Sequence, residues 1–165
     1  MSITMRRNPA IERIRTLRIL NGASDHDLAR FDRLTYEFTA AAGDVLVSEG
    51  KSACGFFVVM NGSAVVSADG VEVGVLERGM FFGETAMLDR GPEPATVTAL
   101  TPSVLRVANR REFNQLVKIT PFARAVLQTL AARQRFALHA SVRESARPDD
   151  RPAHQNLGRL SSRRM

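Results

Sequence analysis

Apolar positions at helical spacing open the chain. Ile11, Ile14 and Leu17 fall on one side of a helix that starts at Pro9, with Asn8 as N-cap and Gly22 as its end. "SDHDLARF" predicts a second short helix. Ser24 caps it, and Asp25 and Asp27 sit in the first turn, where the helix dipole favours negative charge. From Ala40 to about Val107 the period changes. Nine of the eleven glycines lie between Gly43 and Gly91, and they separate brief apolar runs. "DVLVSEG", "GFFVVMNG", "SAVVSADG", "VEVGVLERG" and "ATVTALTPSVLRVA" predict short strands joined by turns. Asp69-Gly70 predicts a tight hairpin. Many brief strands at near-regular spacing predict a small sandwich or barrel-like roll. "GETAMLD" is the one helical insert in this series.

After Asn109 the helical period returns. "RREFNQLVK" suits a short helix. A longer one starts at Thr120-Pro121 and runs to about Arg143. Phe122, Val126 and Leu130 form one stripe on it, with Leu127, Ala131 and Leu138 beside them. From Ala146 the residues are polar, proline-bearing and aperiodic, which predicts a disordered tail. The resulting organisation is a basic segment 1–9, a folded domain 10–145 and a basic tail 146–165.

Charge sharpens this division. The chain carries +6, yet residues 1–20 account for +4 (five arginines against Glu12) and 146–165 for +3 (five arginines against two aspartates). The difference leaves −1 for residues 21–145, so the predicted body is near neutral and the basic character belongs to the ends. Such ends attract acidic surfaces, nucleic acid included, through salt-sensitive contacts. The longest apolar run, Ala53 to Met60, is too short to span a bilayer, and the first fifteen residues lack an export signal. A lone cysteine, Cys54, excludes an internal disulfide and fits a reducing cytoplasm. It precedes an apolar strand and is expected to pack rather than react.

Catalytic chemistry is not visible. His26, His139 and His154 are far apart, and no cysteine or carboxylate cluster has metal-ligand spacing. The serine-hydrolase, zinc-protease and phosphate-loop motifs are missing. The expectation is a binding or regulatory domain without a cofactor rather than an enzyme.

"AAGDVLVSEG", "FFVVMNGSAVV" and "RGMFFGETAML…PATV", in this order between helices, resemble the cyclic nucleotide-binding domain family. That family includes the catabolite activator proteins and the regulatory subunits of cyclic-AMP-dependent kinase. The resemblance covers roughly residues 10–143. It implies a mostly β fold, a double-stranded β-helix or jelly-roll type of β-roll, with N-terminal helices and a C-terminal helix pair. It also implies cAMP or cGMP as the ligand, held in a phosphate-binding cassette. In such a cassette Gly83 would let the backbone approach, and Glu84 would accept from the ribose 2′-hydroxyl. The amides of Thr85 and Ala86 would face the cyclic phosphate, and Val66 and Val73 would line the base side.

The pattern departs from the family at its phosphate contact. Where members carry "PR-x-A-T/A-V", this chain has "GPEPATV", placing Glu93 at the arginine position and Pro94 where an amide would donate, ahead of Ala95 and Thr96. Losing the arginine costs about 2–3 kcal/mol. A carboxylate roughly 4 Å from the phosphate, at an effective dielectric near 20, adds on the order of 4 kcal/mol of repulsion. Proline removes a further donor. Cyclic-nucleotide binding is therefore expected to be weak or lost, with Arg90 the nearest cation that could rescue it and Arg78 a weaker candidate.

Two other functions follow from the same residues. A degenerate domain would serve as a protein-interaction module, with an unidentified partner or as a homodimer along Phe122, Val126 and Leu130. A DNA-binding transcription factor would add a helix-turn-helix after the long helix, and the twenty-odd residues after Arg143 show no such pattern, so sequence-specific DNA reading is not expected.

Overall fold

A computed structural model describes residues 9–145. Asn8, the expected N-cap, and the tail 146–165 lie outside the described residues. The elements are α1 (Pro9–Arg15), a 3-10 turn (Arg18–Leu20), α2 (Asp25–Leu34), β1 (Tyr36–Ala40), β2 (Val45–Val47), β3 (Phe56–Asn61), β4 (Ala64–Ala68), β5 (Val71–Leu76), β6 (Phe81–Phe82), α3 (Glu84–Asp89), β7 (Thr96–Ala99), β8 (Ser103–Ala108), α4 (Arg110–Leu116) and α5 (Thr120–Ser145). The strands form two antiparallel four-stranded sheets, ordered β1-β8-β3-β6 and β2-β7-β4-β5. This is the predicted roll.

β3 explains the longest apolar run. Phe57 and Val59 face the space between the sheets, packing with Val47, Phe82, Val97, Leu105 and Val107. Phe56, Val58 and Met60 face the opposite side and pack under the helices with Phe31, Phe113 and Phe122. A strand buried on both faces loses the apolar–polar alternation and reads as a continuous run. Phe56 centres an aromatic cluster, 5.1 Å from Phe113 and 5.4 Å from Phe122 between ring centres.

Local chemistry sets several boundaries. Ser24 and Asp27 form a reciprocal capping box at α2, and Asn109 and Glu112 form another at α4. Asp69 and Gly70 both take positive φ, +51° and +76°, and turn β4 directly into β5, as the two-residue hairpin requires. Arg106 on β8 is buried and ties the sheet to the end of α2. Its Nε donates to Thr35 Oγ1 at 2.8 Å, and its Nη2 donates to Asp32 Oδ1, Asp32 O and Thr35 O at 2.8–2.9 Å.

Four expectations need correction. The first helix stops at Arg15 instead of reaching Gly22, because the Thr16 hydroxyl donates to Arg13 O at 2.8 Å and the chain re-enters as a 3-10 turn, though Leu17 is still buried. "ATVTALTPSVLRVA" is two strands, β7 and β8, in different sheets, broken at Thr101-Pro102. Cys54 is exposed, not packed. Partial desolvation and then the charge of Glu93 push its thiol up, which keeps it protonated. Finally, Phe122 and Val126 are core residues with Leu130 packed against them, so that stripe is unavailable to a homodimer. Leu127, beside it, is exposed.

The chain divides into two compact units, one up to Leu130 and one from Ala131 onward. The first contains both sheets and every residue of the candidate site. The second contains the C-terminal part of α5, where Phe136 and Leu138 are exposed.

Candidate functional site

The residues expected to form a cassette begin at the junction of β6 and α3. Gly83 is the N-cap of α3 and has φ +83°. A Cβ there would run into the carbonyl oxygen of Gly55, so sterics and dihedral both require glycine. Glu84 follows as the first helical residue and is 1% exposed, its Oε1 accepting from the Thr85 hydroxyl at 3.4 Å. A carboxylate in a first turn is favoured by the helix dipole. Ala86 is fully buried and Thr85 half-buried.

After α3 the chain turns through Arg90, a non-glycine residue at φ +61°. Its side chain is exposed and takes no hydrogen-bond or ion-pair partner among the described residues. Asp89 does not pair with it. Instead Asp89 Oδ1 accepts from the Gly91 amide at 2.8 Å. Arg78 is also committed elsewhere, donating to Met60 O at 3.1 Å and Thr16 Oγ1 at 2.9 Å.

Glu93 is stitched into the loop before β3. Its N–H donates to Lys51 O and its carbonyl accepts from Gly50 N, both at 2.8 Å, and Ser52 bridges Pro92 alongside. These bonds hold the side chain in the interior at 3% exposure, with Oε1 buried and unbonded. Burial, and after it the charge of Glu84, raise the Glu93 carboxyl to about 7. The effect of Glu84 shows that the two carboxyls share one neighbourhood. Pro94 is exposed and brings no N–H, and Ala95 is half-buried. Thr96 starts β7 and accepts from Glu49 N at 3.0 Å through its hydroxyl.

The two valines assigned to the base side differ. Val66 is half-buried on β4, opposite Gly74 and Val97. Val73 falls at the irregularity in the β4–β5 register and is 62% exposed. Val71, Val73 and Val75 are all exposed on β5, the edge strand of its sheet, but the register break at Val73 puts Val71, paired with Ala68, and Val75, paired with Val65, on opposite faces.

The family model described as the cyclic nucleotide-binding domain matches residues 37–120. The chain belongs to the cyclic nucleotide-binding domain family. A cAMP-dependent protein kinase regulatory subunit from Eremothecium gossypii is 34% identical over 106 residues, 63% of this chain and 23% of that protein. The chain spans less than a quarter of the length of the curated relatives it matches. Among solved structures, one described as Sp-2Cl-cAMPS bound to PKAR CBD2 superposes with a TM-score of 0.71 at 20% identity, over 79% of this chain and 88% of that one. The regulatory subunit of a cAMP-independent protein kinase A from Trypanosoma brucei gives 0.66 at 23% identity, over 73% of this chain and 46% of that one. A triple mutant of that subunit, in which one substitution replaces threonine by arginine, is bound to cAMP in its A site and also gives 0.66, at 21% identity over 73% and 46%. At these identities the structural likeness establishes the fold. Among the described residues no helix is long and apolar enough to cross a membrane, and no group of three or more His, Cys, Asp or Glu side chains could hold a metal ion.

Proposed function

We propose that this chain is a regulatory domain of the cyclic nucleotide-binding family whose cassette binds cAMP and cGMP weakly or not at all at neutral pH. One observation carries the reading: Glu93, which the resemblance sets at the phosphate-pairing position, has its carboxyl buried within electrostatic reach of Glu84. The ribose-facing part, Gly83 and Glu84, keeps the family's residues and a local geometry that only glycine permits. A cyclic phosphate entering here meets a second carboxyl in place of a guanidinium, and at Pro94 no amide. The missing charge-assisted pairing and the added repulsion amount to three or more decades of affinity, at about 1.4 kcal/mol per decade. The regulatory subunit of a cAMP-independent protein kinase A from Trypanosoma brucei has this fold, and a triple mutant of it that includes a threonine-to-arginine change is bound to cAMP in its A site.

Calorimetric titration with cAMP and cGMP at pH 7.5 tests the proposal, comparing the native chain with a Glu93→Arg/Pro94→Ala variant. The native chain is expected to give no heat below about millimolar ligand, and the variant to bind. Tight native binding would overturn the reading. The titration repeated at pH 6 is expected to improve native binding about tenfold over pH 8, because the competent, protonated fraction of a carboxyl titrating near 7 rises about that much.

A second reading, a protein-interaction module, is favoured by β5, an edge strand that exposes Val71, Val73 and Val75. Silence from both native and variant proteins in the calorimeter would shift the balance to it.

A further inference from the structure

A cleft of about 350 Å³ lies beside the loop that leads from α3 to Glu93. Residues 50, 52 and 53 line it from the loop before β3, residues 90–92 from the loop after α3, and Arg110 from the start of α4. Gly83, Glu84 and Glu93 are not part of its lining. We propose that this cleft binds a phosphomonoester oxyanion between the guanidiniums of Arg90 and Arg110, with the Ser52 hydroxyl as a further donor. The cleft shares Arg90 with the expected cassette, while Ser52 and Arg110 belong to the cleft alone, so the Glu93→Arg/Pro94→Ala titration and the test below fail separately.

Every charged side chain lining the cleft is an arginine. Of the carboxylates that adjoin the lining in sequence, Asp89 is turned onto the Gly91 amide, Glu49 onto the Asp69 amide, and Glu93 into the interior. Arg110 spends Nη1 on Met87 O at 3.0 Å and Nη2 on Ala86 O at 3.4 Å, which fixes its guanidinium against the end of α3. Three of its five N–H groups are left for another acceptor. Closing a helix C-terminus with a cation accounts for Arg110 without a ligand. Arg90 has no such explanation. It takes no partner among the described residues, and it holds a left-handed position that glycine or asparagine would fill at less cost. An anion bound in a cleft lined by two arginines would offset their repulsion, and the forked donors of a guanidinium match the oxygens of a phosphate. The cavity is larger than a single phosphate needs, which leaves room for the group esterified to it.

The test is an amide NMR titration of the full chain with inorganic phosphate and with phosphoserine, against sodium chloride of equal ionic strength. Saturable shifts are expected at Ser52, Gly91 and Arg110. Arg90→Gly is expected to weaken them about tenfold or more while holding or raising stability, since glycine suits φ +61°. Arg33→Ala, on the exposed face of α2, is expected to change nothing. Saturation by both compounds identifies the phosphate itself as a sufficient ligand, and saturation by phosphoserine alone identifies an ester; each supports the site. Shifts that chloride reproduces, or equal behaviour of the Arg90→Gly and Arg33→Ala variants, would overturn it.

Discussion

Glu93, proposed above to weaken ligand binding, is also expected to set stability. Its carboxyl is raised in the folded chain from an ordinary 4.5 to about 7, so the folded state holds the proton more tightly than the unfolded one. The sign follows: stability is greatest below about 4.5, falls as pH rises, and is fully reduced above about 7, by on the order of 3 kcal/mol. Glu93→Gln is therefore expected to unfold at higher urea than the native chain at pH 8 and at nearly the same urea at pH 5. A constant difference across that range would exclude Glu93 as the cause. Gly83→Ala is expected to destabilise by at least about 2 kcal/mol, because alanine meets both a positive φ and the Gly55 carbonyl. Thermal melts of the two variants therefore move in opposite directions at pH 8. The identities of these residues were legible in the sequence, because "FFGETAML" and "GPEPATV" are contiguous and carry their spacing with them. The direction of the Glu93 side chain was not. It depends on backbone bonds to Gly50 and Lys51, more than forty residues away in the chain. The commitment of Arg78 to Thr16 and Met60 escaped the sequence for the same reason.

Elements follow the same rule. Helices and turns that close on themselves were readable: α2 and α4 through their capping boxes, and the β4–β5 hairpin through Asp69-Gly70. β1 was missed although Tyr36, Phe38 and Ala40 alternate, since four of its five residues are exposed and its membership of the sheet rests on pairing with β8 sixty-odd residues later. β6, two residues long, is defined only by its bonds to β3. The division of "ATVTALTPSVLRVA" between two sheets likewise depends on distant partners. Arg106 is where these long-range contacts concentrate, joining β8 to the end of α2 through Asp32 and Thr35. Arg106→Ala is expected to cost about 3 kcal/mol, the lower end for breaking a buried pair, because Asp32 keeps some access to water. Urea unfolding should show a lower midpoint with an unchanged slope. A loss below about 0.5 kcal/mol would mean that the clamp is dispensable.

Across the whole molecule, charge and fold are separated. The cassette residues and most of the apolar core belong to residues 21–145, which are nearly neutral, while the basic excess lies in residues 1–20, whose Ile14, Leu17, Ile19 and Leu20 also join the core, and in 146–165. Residues 21–145 carry −1, and the folded body 9–145 only +1 once Arg13, Arg15, Arg18 and Glu12 are added, so long-range attraction for polyanions must come mainly from the ends. Deleting residues 146–165 removes five arginines and two aspartates and takes the net charge from +6 to +3. Retention on duplex DNA at low salt is expected to fall, and the difference between the two chains to vanish at raised salt. Each arginine–phosphate pairing removed lowers the dependence of log affinity on log salt by about 0.9. Five arginines set the ceiling, so the slope should change by no more than about 4 to 5. A smaller, measurable change would count the arginines that reach phosphates. An unchanged slope would assign whatever retention exists to residues 1–20, the other basic end, since the body between them carries no net positive charge to supply it.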